Sequence, residues 1–199
     1  MRLVCLGVRA LCVTSCLVTF VHSVEFDLMT VGDPGNRYDR TYGVPSNPAR
    51  YGRFGAVNYA FEMATTEVTH NQYVEFLNSV AASDPHGLFD ELMMSRPRGG
   101  IIRTGEEGSY AYEAKPKAGY LPVTFVTFWD AARFANWMHN GQPTGPSGPE
   151  TTESGAYELG GVTYPDNFSV TRNPDAVWFL PSENEWYKAA YYDPRTQAE

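Results

Sequence analysis

Three stretches of the chain carry apolar residues at the spacing of an α-helix, and a capping residue precedes each one. In the first stretch, positions 73, 76, 77 and 80 are apolar, which places them on one helical face. In all three, the third residue after the cap is polar and can bond back to it, forming a capping box. The pairs are Thr69 with Gln72, Thr127 with Asp130, and Ser182 with Glu185. The pattern therefore predicts three main helices.

Shorter runs of alternating apolar and polar residues predict β-strands around these helices. The predicted strands lie at residues 24–32, 56–69, 120–128 and 176–181, with a short edge strand at 109–114 and a hairpin over 156–164 and 168–173. Segments rich in glycine and proline predict loops at residues 32–55, 95–119 and 141–155. The mixture predicts one α+β domain over residues 24–199, with short strands, three main helices and long loops.

Residues 1–23 do not fit this domain pattern. They contain Arg2 and Arg9, no acidic residue, and an apolar run at residues 10–21. The run is shorter than the roughly 20 residues of a spanning helix, which favours a cleaved signal peptide over a membrane anchor. Cleavage after Ser23 is predicted, so the mature chain is expected to be secreted or periplasmic and away from the membrane. A lipoprotein signal ending at Cys16 is a further alternative.

Charge and cysteine content narrow the range of functions. The whole chain has a net charge of −8, from 15 basic and 23 acidic residues. Removal of the two leader arginines leaves 13 − 23 = −10, and no run of lysine or arginine offers a nucleic-acid footprint. All three cysteines, Cys5, Cys12 and Cys16, lie in the leader. A mature chain without cysteine has neither a thiol nucleophile nor a thiolate metal site.

Three sequence blocks occur in an order that resembles the sulfatase-modifying factor family, which includes the formylglycine-generating enzymes. The blocks are EMATTEVTHNQYVEFL at 62–77, LPVTFVTFWDAARFANWMHNG at 121–141 and VWFLPSENEWYKAAYYDP at 177–194. The resemblance implies a fold related to C-type lectin-like domains. It marks as structural motif positions Glu67, Thr69, Gln72, Trp129, Asp130, Trp137, Pro181, Ser182, Glu185 and Trp186. His70 and Phe179 depart from the family pattern, which has asparagine and arginine at these places.

The formylglycine-generating members oxidise a sulfatase cysteine with molecular oxygen and a copper ion held by two cysteines. The resemblance thus implies copper, and allows calcium, at positions beyond this chain. The chain is therefore expected to be an N-terminal fragment that is inactive as it stands, and no catalytic, cofactor-binding or metal-binding residue is assigned. The tryptophans at 129, 137 and 186 are expected in the core, and the histidines at 70, 86 and 139 at solvent-exposed or capping positions.

Three functions remain open from the sequence. The first is an exported family domain that is inactive as an oxidoreductase. The second is a non-catalytic, C-type-lectin-like binding module for carbohydrate or protein ligands, with the tyrosine-rich loops at 38–59 and 110–120 as its binding surface. The third is a cysteine-dependent enzyme whose remaining half is encoded downstream.

Overall fold

The computed structural model describes residues 23–39, 54–163 and 170–194. These residues form a mixed α+β structure with two antiparallel two-stranded sheets. The strands are β1 (Leu28–Val31), β2 (Phe61–Ala64), β3 (Ile101–Thr104) and β4 (Ala111–Ala114), with β1 paired to β2 and β3 to β4. The helices are α1 (His70–Val80), α2 (Glu91–Ser95), α3 (Phe128–His139) and α4 (Glu183–Tyr191), with a π-helical turn at Pro149–Glu153. No described helix is long and apolar enough to cross a membrane.

The three predicted helices begin at the caps that the sequence indicates. Reciprocal capping boxes join Thr69 with Gln72 at α1, Thr127 with Asp130 at α3, and Ser182 with Glu185 at α4. Each box satisfies N–H groups that have no partner within the helix, and a single cap contributes about 1 kcal/mol. The prediction of these helices is confirmed, whereas the short helix α2 was not predicted.

The apolar stripe of α1 packs against α3 and forms the main core. The ring of Phe76 lies 5.3 Å, centre to centre, from the rings of both Phe134 and Trp137. Phe76 is fully buried and Trp137 is 1% exposed. Tyr112 of β4 closes this core and donates its hydroxyl to the carbonyl of Ala81 at 2.8 Å. The packing joins α1, α3 and the β3–β4 sheet into one apolar cluster.

A buried ion pair fixes the π-helical turn to α3. Arg133 is fully buried, and its Nε and Nη2 donate to the carboxylate oxygens of Glu153 at 2.7 and 2.9 Å. Glu153 also accepts from the hydroxyl of Thr152 and the N–H of Gly161. Burial alone would raise the pKa of Glu153, but the hydrogen bonds and charge of Arg133 outweigh it and hold that pKa below its usual value. Arg133 Nη1 is buried and has no hydrogen-bond partner among the described residues.

Several strand predictions are wrong. Residues 120–128 make only an isolated bridge, from Pro122 to Thr69, and residues 176–181 pair with no described strand. Without a neighbouring strand, the backbone groups of such runs must find other partners. In contrast, β3 lies in residues predicted as loop and pairs with the predicted edge strand at β4. Residues 164–169 of the predicted hairpin, and residues 40–53 of the predicted loop, lie outside the described residues.

Two side chains have surroundings opposite to those expected. Trp186 in α4 is 52% exposed, whereas the other two motif tryptophans are buried. The local pattern places Trp186 on an apolar helix face, but no described segment covers that side of the ring. His70 was expected at an exposed or capping position and is only 2% exposed. Its Nδ1 lies 3.1 Å from the carbonyl oxygen of Ala118, and its ring lies so close to Gly100 that a Cβ there would clash.

Candidate ligand-binding groove

An open groove of about 1070 Å³ runs between the β1–β2 sheet, α3, α4 and the segment before α4, residues 172–181. We call residues 172–181 the pre-α4 segment. The volume is slightly above the range of about 300–1,000 Å³ that is usual for ligand sites. The large apolar side chains that line it are Phe26, Leu28, Met29, Phe61, Met63, Val68, Phe134, Met138, Val177, Trp178, Phe179, Leu180 and Trp186.

Several of these apolar side chains are strongly exposed. Val177 is 72% exposed, Met29 53% and Trp186 52%, and these three belong to the pre-α4 segment, β1 and α4. Leu28 and Tyr59 add further exposed surface along the same groove. Exposed apolar residues scattered singly are ordinary, but a contiguous patch marks a surface that binds a ligand or another protein.

Packing of α4 against the β1–β2 sheet brings the groove walls together. Ala189 packs against the buried cluster of Val31, Val57 and Phe61. One helical turn before it, Trp186 lies on the groove side of α4. The small side chain of Ala189 lets the helix approach the sheet closely, while the Trp186 ring packs edge-to-face on Tyr191 and remains about half exposed beside the groove.

A charged cluster borders the groove and joins three segments that are distant in sequence. Arg172 Nη1 donates to the two carboxylate oxygens of Glu185 at 2.9 and 3.0 Å, and Arg172 Nη2 donates to the Tyr59 hydroxyl at 2.9 Å. The Tyr59 hydroxyl donates in turn to Glu185 Oε1 at 2.5 Å. The guanidinium carbon of Arg172 lies 4.0 Å from the centre of the Phe179 ring, which is a cation–π geometry.

Burial and the hydrogen bonds within this cluster shift the pKa values of Tyr59 and Glu185. Burial, together with the hydrogen bond to Glu185, raises the pKa of Tyr59. Burial alone would raise the pKa of Glu185, but hydrogen bonds from Tyr59, Ser182 and Arg172 hold it below its usual value. Near neutral pH the cluster is therefore a neutral phenol beside a paired arginine and carboxylate. Such an arrangement can orient a ligand, but it holds no group poised to exchange a proton near pH 7.

The sequence motif residues divide between the groove and the scaffold that supports it. Glu67, Pro181 and Trp186 line the groove, and Glu185 belongs to the charged cluster. The remaining motif residues are helix caps or buried in helices, namely Thr69, Gln72, Trp129, Asp130, Trp137 and Ser182. The ten residues thus do not form one site.

Sequence reasoning missed most of the groove. Of the two tyrosine-rich loops expected as a binding surface, the described residues of the first, 38–39 and 54–59, contribute Tyr59, and residues 110–120 contribute nothing to the lining. Arg172 fell in a predicted hairpin and Val177 in a predicted strand, where neither had a reason to be exposed. One usable signal was the apolar pair Leu28 and Met29, because adjacent strand residues face opposite sides of a sheet. Both sides of β1 therefore needed a cover, yet Leu28 and Met29 are both exposed.

The described residues do not fit the copper centre that the family resemblance implies. Copper(I) selects soft thiolate ligands, and all three cysteines lie within residues 1–22, outside the described ranges. The described residues also contain no group of three or more histidine, cysteine, aspartate or glutamate side chains that could hold a metal ion. No chemical step through copper or calcium follows from this site.

The fold is thus a mixed α+β domain with an open groove that is lined largely by apolar side chains. The chain belongs to the sulfatase-modifying factor enzyme 1-like domain family, whose family model matches residues 34–196. The match confirms the resemblance read from the three sequence blocks, all of which lie inside it. No curated protein and no solved structure matches the chain. Most of the groove wall, including β2, α3, the pre-α4 segment and α4, lies in the matched range, whereas β1 precedes it.

Proposed function

We propose that this chain is an exported, non-catalytic member of its family that binds a protein ligand in the groove. The observation that carries the proposal is the contiguous exposed apolar lining contributed by β1, the pre-α4 segment and α4. The proposal includes the C-type lectin-like architecture that the family resemblance implies for residues 24–199. Scaffolds of that kind present ligand sites on irregular segments.

The composition of the lining favours a polypeptide ligand. Met29, Met63 and Met138 line the groove, and methionine side chains adapt readily to different apolar partners. The polar groups are few, and the strongest of them, Arg172, is already bound to Glu185. An apolar, adaptable surface of this kind suits alternating side chains of a bound peptide better than a small, highly polar molecule.

The packing around Val24 supports the proposed export and cleavage. Val24 would be the first residue after cleavage, and its side chain is 4% exposed within the main core. Its backbone nitrogen donates to Gln142 Oε1 at 2.6 Å, and its carbonyl oxygen accepts from Gln142 Nε2 at 2.8 Å. A chain that begins at Val24 keeps both bonds. Of the hydrogen bonds between Gln142 and residues 23–24, such a chain loses only the bond from Gln142 Nε2 to the Ser23 hydroxyl.

The proposed lack of oxidase activity rests on the chemistry of the sulfur ligands. The three cysteines all precede Val24, so residues 24–199 offer no thiolate to copper. The charged cluster cannot replace them, because guanidinium and phenol groups are not ligands of copper(I).

Expression in a secreting host tests the proposed export and the proposed lack of oxidase activity. The intact mass of the exported protein is expected to match a chain that starts at Val24. Incubation with copper, oxygen and a cysteine peptide of sulfatase type is expected to give no aldehyde by mass spectrometry, with an active family member as positive control. Aldehyde formation by the purified mature chain would overturn the proposal of a non-catalytic protein.

A carbohydrate ligand is the second candidate, and one observation favours it. The exposed ring of Trp186 and the charged cluster around Arg172 border the same groove, so an apolar ring and hydrogen-bonding groups face one ligand space. Sugars bind to such pairs through stacking and polar contacts. Quenching of tryptophan fluorescence by oligosaccharides, but not by peptides, would decide for this candidate.

A further inference from the structure

The outer edge of β2 has backbone groups without a partner strand. In the β1–β2 ladder, the N–H of Thr65 donates to the carbonyl of Asp27 at 2.9 Å. Hydrogen-bonded and non-hydrogen-bonded pairs alternate along an antiparallel ladder. Like Thr65, residues Met63 and Phe61 therefore direct their backbone N–H and C=O groups toward β1. Glu62 and Ala64 direct theirs away from β1. Neither of these two residues makes a backbone hydrogen bond to another described residue outside the ladder.

This free edge faces the groove. The four consecutive residues Phe61–Ala64 all line it. Successive side chains of a strand point to opposite faces, so a cavity that touches four residues in a row reaches both faces of β2 and the edge between them. Open strand edges are ready templates for pairing with another chain, and this one lies inside an apolar groove.

The side chains of β2 define what a neighbouring strand would present. Phe61 and Met63 belong to the apolar face that packs toward Ala189 of α4. Glu62 lies on the other face and is exposed. Directly opposed residues of paired strands share a face and interact. A strand paired with β2 would therefore carry apolar side chains opposite Phe61 and Met63, and a different kind of side chain opposite Glu62.

Charge identifies that different side chain. Glu62 and Glu67 line the groove, and neither makes an ion pair with another described residue. Arg172 is the one basic residue among the described residues of the lining, and its charge is matched by Glu185. The unbalanced charge of the groove is thus negative, so a lysine or arginine opposite Glu62 is complementary.

We propose that β2 binds an extended segment of another polypeptide by strand addition in the groove, and that this segment alternates apolar and basic residues. Main-chain hydrogen bonds to Glu62 and Ala64 supply affinity, and the alternating side chains supply specificity. The inference rests on the proposed protein-binding function, and it adds the mode of binding and the chemistry of the ligand.

The first experiment uses the exported chain and a short labelled peptide of alternating valine and lysine. Fluorescence anisotropy measures its affinity, and the quenching of Trp178 and Trp186, which line the groove, reports where it binds. Two N-methylated peptides carry the methyl groups on the valines or on the lysines. Only one alternate set of peptide N–H groups can face β2, so one methylated peptide is expected to bind about tenfold more weakly, and the other unchanged.

Protein variants test the same contacts from the other side. Glu62→Gln is expected to weaken binding of the valine–lysine peptide about threefold to tenfold, whereas Glu107→Gln removes an exposed carboxylate elsewhere and is expected to change nothing. Ala64→Pro removes an N–H that does not serve the β1 ladder and is expected to abolish binding. Thr30→Pro, which removes an outward N–H on the far edge of β1, is the matched control.

The outcomes separate the inference from the function on which it rests. If both N-methylated peptides bind as tightly as the unmodified peptide, strand addition is overturned, while the proposal of a protein-binding groove stands. Absence of binding by every peptide, with unchanged tryptophan fluorescence, overturns both. Self-association of the chain that Ala64→Pro abolishes would show a second copy in the groove, and would overturn the assignment of a separate ligand.

Discussion

The two sides of this molecule use the same kinds of residues in opposite ways. Around α1 and α3, large aromatic rings are sealed against one another, as Phe76 and Trp137 show. Around α4, comparable rings and aliphatic chains stand open along the groove, as Trp186 and Val177 show. Both α3 and α4 begin with a capping box and carry apolar residues at helical spacing. The two helices differ in which other segments of the chain pack against their apolar faces.

The contrast separates residues that stabilise the fold from residues that are available to a ligand. Burial of the sealed rings already contributes to folding, so their removal leaves a cavity. The exposed side chains along the groove still contact water, so a ligand that buries them gains binding free energy from that burial. This division predicts that substitutions on the two sides change different measured quantities.

The largest effect is expected from truncation in the sealed core. Phe76→Ala should lower the free energy of unfolding by about 3–5 kcal/mol, because it leaves a cavity among fully buried rings. Met29→Ala, in the groove wall, should lower it by less than about 1 kcal/mol. Urea denaturation measures both. Equal losses for the two variants would show that the groove is as tightly packed as the core.

The buried ion pair should be the next most sensitive feature. Glu153→Gln removes the charge that compensates buried Arg133, and loss of one partner of such a pair costs about 3 kcal/mol or more. The change should unfold the π-helical turn before the main core, as measured by hydrogen exchange of residues 149–161. Glu150→Gln, at an exposed position of the same turn, is the control. A uniform loss of protection across the chain would contradict a local role.

Acid should weaken the same region in two steps. His86 Nε2 lies 3.4 Å from Glu153 Oε1; burial, followed by the charge of Arg133, lowers the pKa of His86 despite Glu153. A folded-state pKa below the unfolded value means that the folded state binds fewer protons, so stability is lost as pH falls. The loss should begin below the ordinary histidine pKa of 6.5 and continue below the ordinary glutamate pKa of 4.5.

Chemical denaturation at a series of pH values measures this loss. His86→Asn should remove the first step and leave the second. An unfolding free energy that stays constant between about pH 7 and pH 5.5 in the unsubstituted protein would contradict the assignment to His86.

A smaller effect is expected at the helix caps. Thr69→Ala should cost about 1 kcal/mol, because the N–H of Gln72 loses its side-chain acceptor. Thr66→Ala makes the same chemical change at an exposed position three residues earlier and should cost much less. Thermal unfolding of the pair measures the difference. Similar midpoints for both variants would show that the capping box is not a source of stability.

The caps could be predicted because they are local. Thr69 and Gln72 contact each other within one helical turn, so the sequence contains the whole interaction. The stripe of α1 was predictable for the same reason, since its spacing alone defines a face. Residues 120–128 and 176–181 were wrongly predicted as strands because strand formation depends on a partner elsewhere in the chain. The strand β3 was missed for the converse reason, since a short run flanked by glycines became a strand only through pairing with β4.

The groove could not be predicted from local pattern. The helical spacing around Trp186 equals that of a buried helix face, so the spacing alone does not show that the side chain is 52% exposed. The charged cluster depends on Tyr59, Arg172 and Glu185, which come from three separate segments. Family resemblance marked Glu185 and Trp186 but gave neither their partners nor their exposure.

The smallest effect on stability, and the sharpest separation of the two regions, is expected at Trp186. Trp186→Ala should change the free energy of unfolding by no more than about 0.5 kcal/mol, because more than half of the side chain already contacts water. The same variant should lose most of its affinity for the valine–lysine peptide, because an aromatic side chain at the centre of a binding surface supplies much of the binding energy. Trp186→Phe should keep part of that affinity and all of the stability. If Trp186→Ala lowered the free energy of unfolding as much as Phe76→Ala is expected to do, α4 would belong to the sealed core and the groove would not be a binding surface.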